Sequence, residues 1–306
     1  MRISTITMYE QSLNSLNRQQ GEFLKIGQHI SSGRRVVNPS DDPQAAALAV
    51  GIDQAKAVDQ QYANARVSAR NSLSQEESVL NSTSDFIVRA RTLLVQAGND
   101  TLGDVDRQAI GLELQGIYEG LLGQANSADG NGRFMFGGFQ DDTPPFVQGA
   151  DGKVSYVGDS GVKGQQVDSA RLMPSVDNGQ AIFKSADDAD LFATLENLIG
   201  TLATPVASEA DKANLQSVLA TAGKALGKSF DNVLAVRASV GARLNELDVL
   251  DVVGGNRMLN YEQVLSDRLD LDYNKAISDY TLRQVGLQAA QKAFVDVQKL
   301  SLFNQL

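Results

Sequence analysis

The chain has 306 residues, no cysteine, no tryptophan and a net charge of −10. Without thiols there are no disulfides or thiolate metal sites. The acidic balance leaves no basic excess to meet nucleic acid or an anionic membrane surface. With 6% aromatic residues amid much alanine, leucine, glutamine, asparagine and serine, the composition suits thin helical layers better than a compact enzyme core.

No window approaches eighteen apolar residues, so no membrane-spanning helix is expected. The start, Met1-Arg2-Ile3-Ser4-Thr5-Ile6-Thr7, lacks a continuous apolar run and a small-residue cleavage site. A cleaved secretory signal is therefore not expected, and any export route would leave this end intact.

Residues 3–30 carry the stripe Ile6, Tyr9, Leu13, Leu16, Gln20, Phe23, Gly27 and Ile30. Its steps alternate three and four, as in a heptad seam, and Gln20 and Gly27 weaken it. An amphipathic helix on a globular core would show the same stripe; the sharper expectation is a coiled-coil partner for another helix.

The next stretch is Ser31-Ser32-Gly33-Arg34-Arg35-Val36-Val37-Asn38-Pro39-Ser40-Asp41-Asp42-Pro43. Ser31, Ser32 and Gly33 end the helix. Asn38 and Asp42 each precede a proline and are pushed towards extended conformations. Ser40, Asp41 and Asp42 are good N-cap types, and Pro43 suits a first helical turn.

From Ala45 to Ala97 the pattern is helical, with a seam through Val58, Tyr62, Ala65, Ala69, Leu73, Glu76, Leu80, Thr83, Ile87, Ala90, Leu94 and Ala97. A four-four step at Ala65–Ala69–Leu73 relaxes the supercoil locally. A helix of this length would span roughly 80 Å, too long for a globule and suited to a rod. Gly98-Asn99-Asp100 stops it, and a helix is expected over Asp104–Ala128.

Asp129-Gly130-Asn131-Gly132 is a turn signal. Arg133 to Phe139 reads as a strand bent by glycine, and residues 141–184 hold prolines, Asp151-Gly152 and Asn178-Gly179 turns and short β-type runs. Helical pattern resumes over Ala186–Leu202 and breaks at Thr204-Pro205. A long helix begins near Ser208, with a seam through Leu215, Leu219, Ala222, Leu226, Phe230, Val233, Val240, Leu244 and Leu247; Gly254-Gly255 is a candidate kink. The last helix is expected over Asn274–Leu300. Ile277, Tyr280, Leu287 and Phe294 share one face, while Leu282, Val285, Leu300 and Phe303 point elsewhere. A helix apolar all round must be buried all round, and the N-terminal helix is the one surface in the chain available to it. The remaining faces are expected to meet other copies or neighbours, and both ends to be mobile in the free monomer and fold on assembly.

The fold class expected is mainly α with a small β insertion: a long antiparallel helical rod or coiled coil formed by both termini, with the β-rich insertion at the far end. The expected parts are 1–40 with 270–306 as a terminal coiled coil, 41–140 with 186–269 as a rod, and 141–185 as an inserted β-rich domain.

Four segments carry a family resemblance. "SSGRRVVNPSDDP" at 31–43 is similar to the segment near the N-terminus of bacterial flagellins and flagellar hook-associated proteins, matching at Ser32, Gly33, Arg34, Pro39, Ser40, Asp41, Asp42 and Pro43. Val240-Gly241-Ala242-Arg243-Leu244-Asn245 resembles the motif on the family's returning rod helix. The end, Gln288-Ala289-Ala290 through Leu300-Ser301-Leu302-Phe303-Asn304, resembles the hook-associated termini, with Gln305 where an aromatic residue is common. Gly132 to Gly138, followed by Asp142-Thr143-Pro144-Pro145-Phe146, resembles the members at the hook–filament junction more than flagellin itself. Residues 147–207 resemble the family poorly, as a variable insertion would.

The resemblance implies a structural protein of the bacterial flagellum, extracellular and exported unfolded through the flagellar type III apparatus. Its partners would be copies of itself in a ring, a neighbouring hook-associated protein on the hook side, flagellin on the filament side and an export chaperone. A short flagellin is the alternative within the family. No enzyme activity, cofactor or metal is implied. Assembly would run through Ile6, Tyr9, Leu13, Leu16, Phe23 and Ile30 at one end and Ile277, Tyr280, Leu287, Phe294, Leu300, Leu302 and Phe303 at the other.

No catalytic or ligand-binding constellation is expected from the sequence. Asp41-Asp42 reads as a helix cap rather than an acid–base pair. His29, the single histidine, has no triad spacing around it. Gly130-Asn131-Gly132 and Gly137-Gly138 lack the strand–loop–helix unit of a phosphate cradle. Arg34 and Arg35 are expected to pair with acids or solvate the loop.

Overall fold

The computed structural model describes residues 5–150, 152–185 and 189–303. Its elements in chain order are α1 (Thr5–Ser32), α2 (Pro43–Ala97), α3 (Asp104–Ala125), β1 (Phe146–Gln148), β2 (Val154–Tyr156), β3 (Gly164–Asp168), β4 (Arg171–Pro174), α4 (Gly179–Phe183), β5 (Lys184–Ser185), β6 (Ala189–Asp190), α5 (Leu191–Ala203), α6 (Glu209–Leu269) and α7 (Tyr273–Phe303). The mainly helical class with a small β insertion stands. The chain divides into two compact units, Met1–Val58 with Gly255–Leu306, and Asp59–Gly254.

The core of the unit Asp59–Gly254 follows from the stripes. Ala69, Leu73, Glu76, Leu80, Thr83, Ile87, Ala90 and Ala97 of α2 are all buried, as are Leu215, Leu219, Ala222, Leu226, Val233, Val240 and Leu247 of α6. Two positions drift from the expected seam. Val58 is 43% exposed, and Leu93 is buried where Leu94 is only partly so. A straight helix turns by about 20° per heptad against a 3.5-residue repeat, so a seam read as strict heptads slips towards its neighbour.

Aromatic rings close the unit. Phe146 packs on Phe183 and Phe192, each with centroids 5.4 Å apart, and Tyr118 meets Phe192 edge-on at 5.8 Å. The Tyr118 hydroxyl donates to Glu196 Oε1 at 2.6 Å. Burial first, and then that carboxylate, push the phenol well above its ordinary range.

The strands form three separate antiparallel pairs, β1–β2, β3–β4 and β5–β6. Phe146 lies opposite Tyr156 in the first, and the second carries a register shift between Gln166 and Asp168.

Several expected boundaries move. Residues 133–139 form no strand; Phe134 alone bridges Ala128, and the rest is a run of bends. The cause is Gly138 at φ +69, beside an Asp159 carboxylate that accepts from Phe139 N. A left-handed residue cannot continue a strand. The helix expected to Ala128 stops at Ala125, where the Asn126 side chain turns to bond both N and O of Phe146, at 2.9 and 2.8 Å. α5 begins at Leu191 rather than Ala186, because Asp190 caps it by accepting from Ala193 N. Gly254-Gly255 introduces no break in α6. A Cβ at Gly254 would lie 2.7 Å from Arg66 Nη2, so glycine there admits a buried guanidinium.

Candidate assembly site

The candidate site lies in the unit Met1–Val58 with Gly255–Leu306. α1 and α7 pack antiparallel: Tyr9 faces Phe294 and Phe23 faces Tyr280, with ring centroids 5.4 and 4.8 Å apart. Glu22 and Arg283 pair between those two ring contacts. A Cβ on Gly286 would lie 3.2 Å from Gln19 Oε1, and one on Gly27 would lie 4.0 Å from the Tyr280 ring, so small residues let the two helices approach.

The expected seam residues fall as follows. Leu13, Leu16, Phe23, Ile30, Tyr280, Leu287 and Phe294 are half-buried, and Tyr9 is 39% exposed. Ile277 does not share their face. It is 55% exposed, and its neighbour Ala276 is buried instead. The face runs through Ala276, Tyr280, Arg283 and Leu287, so Ile277 sits about 100° away from it. Leu282 and Val285 point outward at 67% and 58% exposure. The side chains of Ile6, Leu300, Leu302 and Phe303 lie outside the described residues, as do Asn304 and Gln305.

The 31–43 loop closes this unit by backbone pairing. Arg35 N donates to Leu269 O at 2.7 Å, Leu271 N donates to Gly33 O at 3.0 Å, and Arg34 forms an antiparallel bridge with Asp270. Gly33 has φ +68, and a Cβ there would come within 2.9 Å of the Tyr273 hydroxyl. Ser32 Oγ donates to His29 O and accepts from Arg34 N, and His29 Nδ1 lies 2.9 Å from Arg34 O.

Asp42 is the N-cap of α2, its Oδ1 accepting from Ala45 N at 3.0 Å with Pro43 at the first helical position. Arg35 reaches the other oxygen of Asp42 and also donates to Arg268 O. Asp41 is not part of that cap. It accepts from Val37 N and Asn38 N and pairs with Lys25 of α1 at 2.7 Å. Lys25, followed by the Asn38 amide, holds the Asp41 carboxyl far below the usual carboxylate range. The Ala45 amide, followed by Arg35, lowers that of Asp42. Pro39 and Ser40 are exposed at the loop tip, while Val36 is buried.

The break between α6 and α7, residues 270–272, together with Leu269, is the loop's pairing partner, a role the sequence patterns do not show. The available signal was Asp272, which caps α7 by accepting from Lys275 N at 3.1 Å. Two of the family-like segments sit elsewhere. Phe136 and Phe146 belong to the buried ring cluster, and Arg243, 8% exposed, pairs with Asp177. Among the described residues no helix is long and apolar enough to cross a membrane, and no three His, Cys, Asp or Glu side chains converge as a metal site.

The two chain ends pair antiparallel, and a Gly-Arg-Arg loop turns into a capped long helix. The family profile of the bacterial flagellin N-terminal helical region matches residues 3–141. The chain is 43% identical over 316 aligned residues to flagellar hook-associated protein 3 of Escherichia coli K12, spanning 99% of both chains. It is 41% identical to the protein of the same name from Salmonella typhimurium, again over 99% of both. The chain belongs to the flagellar hook-associated protein 3 family. A solved hook-associated protein from Vibrio parahaemolyticus shares the fold, with a TM-score of 0.69 at 24% identity over 75% of this chain and 100% of that one.

Proposed function

We propose that this protein is a non-enzymatic junction subunit that joins the flagellar hook to the filament by assembling through its terminal helices. The observation that carries the reading is the full-length similarity to hook-associated protein 3, which runs through both paired ends and the segment at 132–146. The physical support is α7. With Leu282, Val285 and Ile277 outward, α1 covers only part of its apolar surface. Each such side chain is worth roughly 1.5–3 kcal/mol when taken out of water, so docking of several on neighbouring chains would make a firm joint.

In this reading the partners are identical copies in a ring, a hook-associated protein on the hook side, flagellin on the filament side and an export chaperone before secretion. In the same reading the protein acts outside the cell, as part of the flagellum. Residues 1–40 and 270–306 serve as the axial part, 41–140 and 186–269 as the rod, and 141–185 as the outer insertion.

Immunogold labelling of purified flagella tests the reading. A single narrow band between hook and filament is expected. Label along the whole filament would make the protein a flagellin, and absence of label from flagella would overturn both.

A further inference from the structure

Glu76 stands out among the carboxylates of the unit Asp59–Gly254. It lies on α2 in the seam facing α6, with no solvent exposure. One carboxyl oxygen, Oε1, accepts from Asp177 N at 3.0 Å, and the other, Oε2, is buried without a hydrogen-bond partner. Burying an ionised carboxylate with one oxygen unsatisfied is far more costly than burying a neutral acid.

The charged groups around it fix which form prevails. From the segment between β4 and α4 comes the Asp177 carboxylate, which repels the ionised form. From α6 comes Arg243, which favours it, but Arg243 is already engaged by Asp177 and sits near Pro174 O and Ser239. From α2 itself comes Glu77, a second acid, held by Arg237 of α6 through Nε and Nη2 at 2.9 and 2.7 Å. Burial first, and Asp177 second, push the Glu76 carboxyl up to about 8.

The bond from Asp177 N reaches further than one residue. Asp177 joins α2, through Glu76, to α6, through Arg243. The next residue, Asn178, caps α4 by accepting from Gln180 N and donates to the Tyr156 hydroxyl and Asp159 O. The following one, Gly179, donates its N–H to Phe136 O, and a Cβ there would come within 2.9 Å of the Phe136 backbone and the Phe146 ring. Residues 174–179 thus tie β2, β4 and the ring cluster to both long helices.

We propose that Glu76 is a proton-dependent clasp: neutral Glu76 holds the 174–179 segment on α2, and loss of its proton in mildly alkaline medium loosens that segment. The sign follows from linkage. The carboxyl binds its proton more tightly folded than unfolded, so its stabilising contribution is whole below the unfolded value of about 4.5. That contribution declines as pH rises, until the folded carboxyl itself ionises near 8.

The test is a carbon-13 NMR titration of the Glu76 carboxyl in the full-length protein, paired with thermal unfolding of the wild type and Glu76→Gln. The resonance should titrate between pH 7 and 9. The wild-type midpoint should fall by roughly 5–10 °C from pH 5 to pH 9, and Glu76→Gln should remove most of that fall. Hydrogen-exchange protection of residues 174–179, corrected for the intrinsic rate, should fall as pH rises towards 8 and level off above it in the wild type, and should not do so in the variant. A Glu76 resonance titrating near 4–5 would overturn the proposal without any variant. So would parallel pH profiles of the two proteins.

Discussion

In Asp59–Gly254 the helical stripes close on one another. Leu73, Leu80, Ile87, Leu114, Leu195 and Leu226 lose all contact with water, and four phenylalanines fill the space beside them. In Met1–Val58 with Gly255–Leu306 the helices carry apolar stripes as well, yet the buried apolar residues among those described are only Val36, Ala45, Ile52 and Ala276. Periodicity and burial are therefore separate properties. A stripe says which face is apolar; a third or fourth element must arrive before that face becomes a core. The first unit has α3, α5 and the ring cluster to complete it, whereas α1 and α7 have each other and a loop.

That contrast can be broken in order of expected effect. Phe146→Ala removes a ring that three others touch and should cost about 3–5 kcal/mol, read as a lower urea midpoint for the unit Asp59–Gly254. Leu16→Asp and Phe294→Asp should behave oppositely. The unfolding midpoint of that unit should stay where it is while incorporation into flagella is lost. A strain carrying either change that swims at normal speed would remove the assembly role assigned to the paired ends.

Gly33→Ala comes next. A side chain at φ +68 costs roughly 1–2 kcal/mol before the approach of Tyr273 is counted. Faster hydrogen exchange at Arg35 N and Leu271 N would report the loosened loop, and unchanged exchange there would place the strain elsewhere.

The smallest effect is the acid response of the loop. The Asp41 and Asp42 carboxyls are held below their ordinary values, so their contribution is present above the unfolded range and lost as pH falls through the lowered one. Protection of residues 33–45 should weaken below about pH 4 and be insensitive between pH 6 and 9. Residues 174–179 should show the reverse. Asp41→Asn and Asp42→Asn should each flatten the acid limb; if neither does, the loop is held by its backbone pairing with 269–271 alone.

The sequence determined the helices, their seams on α2 and α6, and a cap within Ser40–Asp42 ahead of Pro43, because these depend on local spacing and intrinsic preference. It also carried the family, since the 31–43 and 132–146 segments are specific in their order of residues. The tertiary structure decided what spacing cannot. Nothing local distinguishes Asp41 from Asp42 as a cap, and the difference came from Lys25, which sits on another helix. Ile277 and Ala276 are adjacent in the chain, and only the approach of α1 selected the smaller one for burial. Arg133–Phe139 has a strand's composition, but Asp159, twenty residues beyond Phe139, holds it in a turn. By spacing Glu76 is one position of the α2 seam, and it becomes a buried carboxyl with one partner only when Asp177 and Arg243 are brought beside it. In each case the deciding group is distant in sequence, and its electrostatic and packing effects act through space.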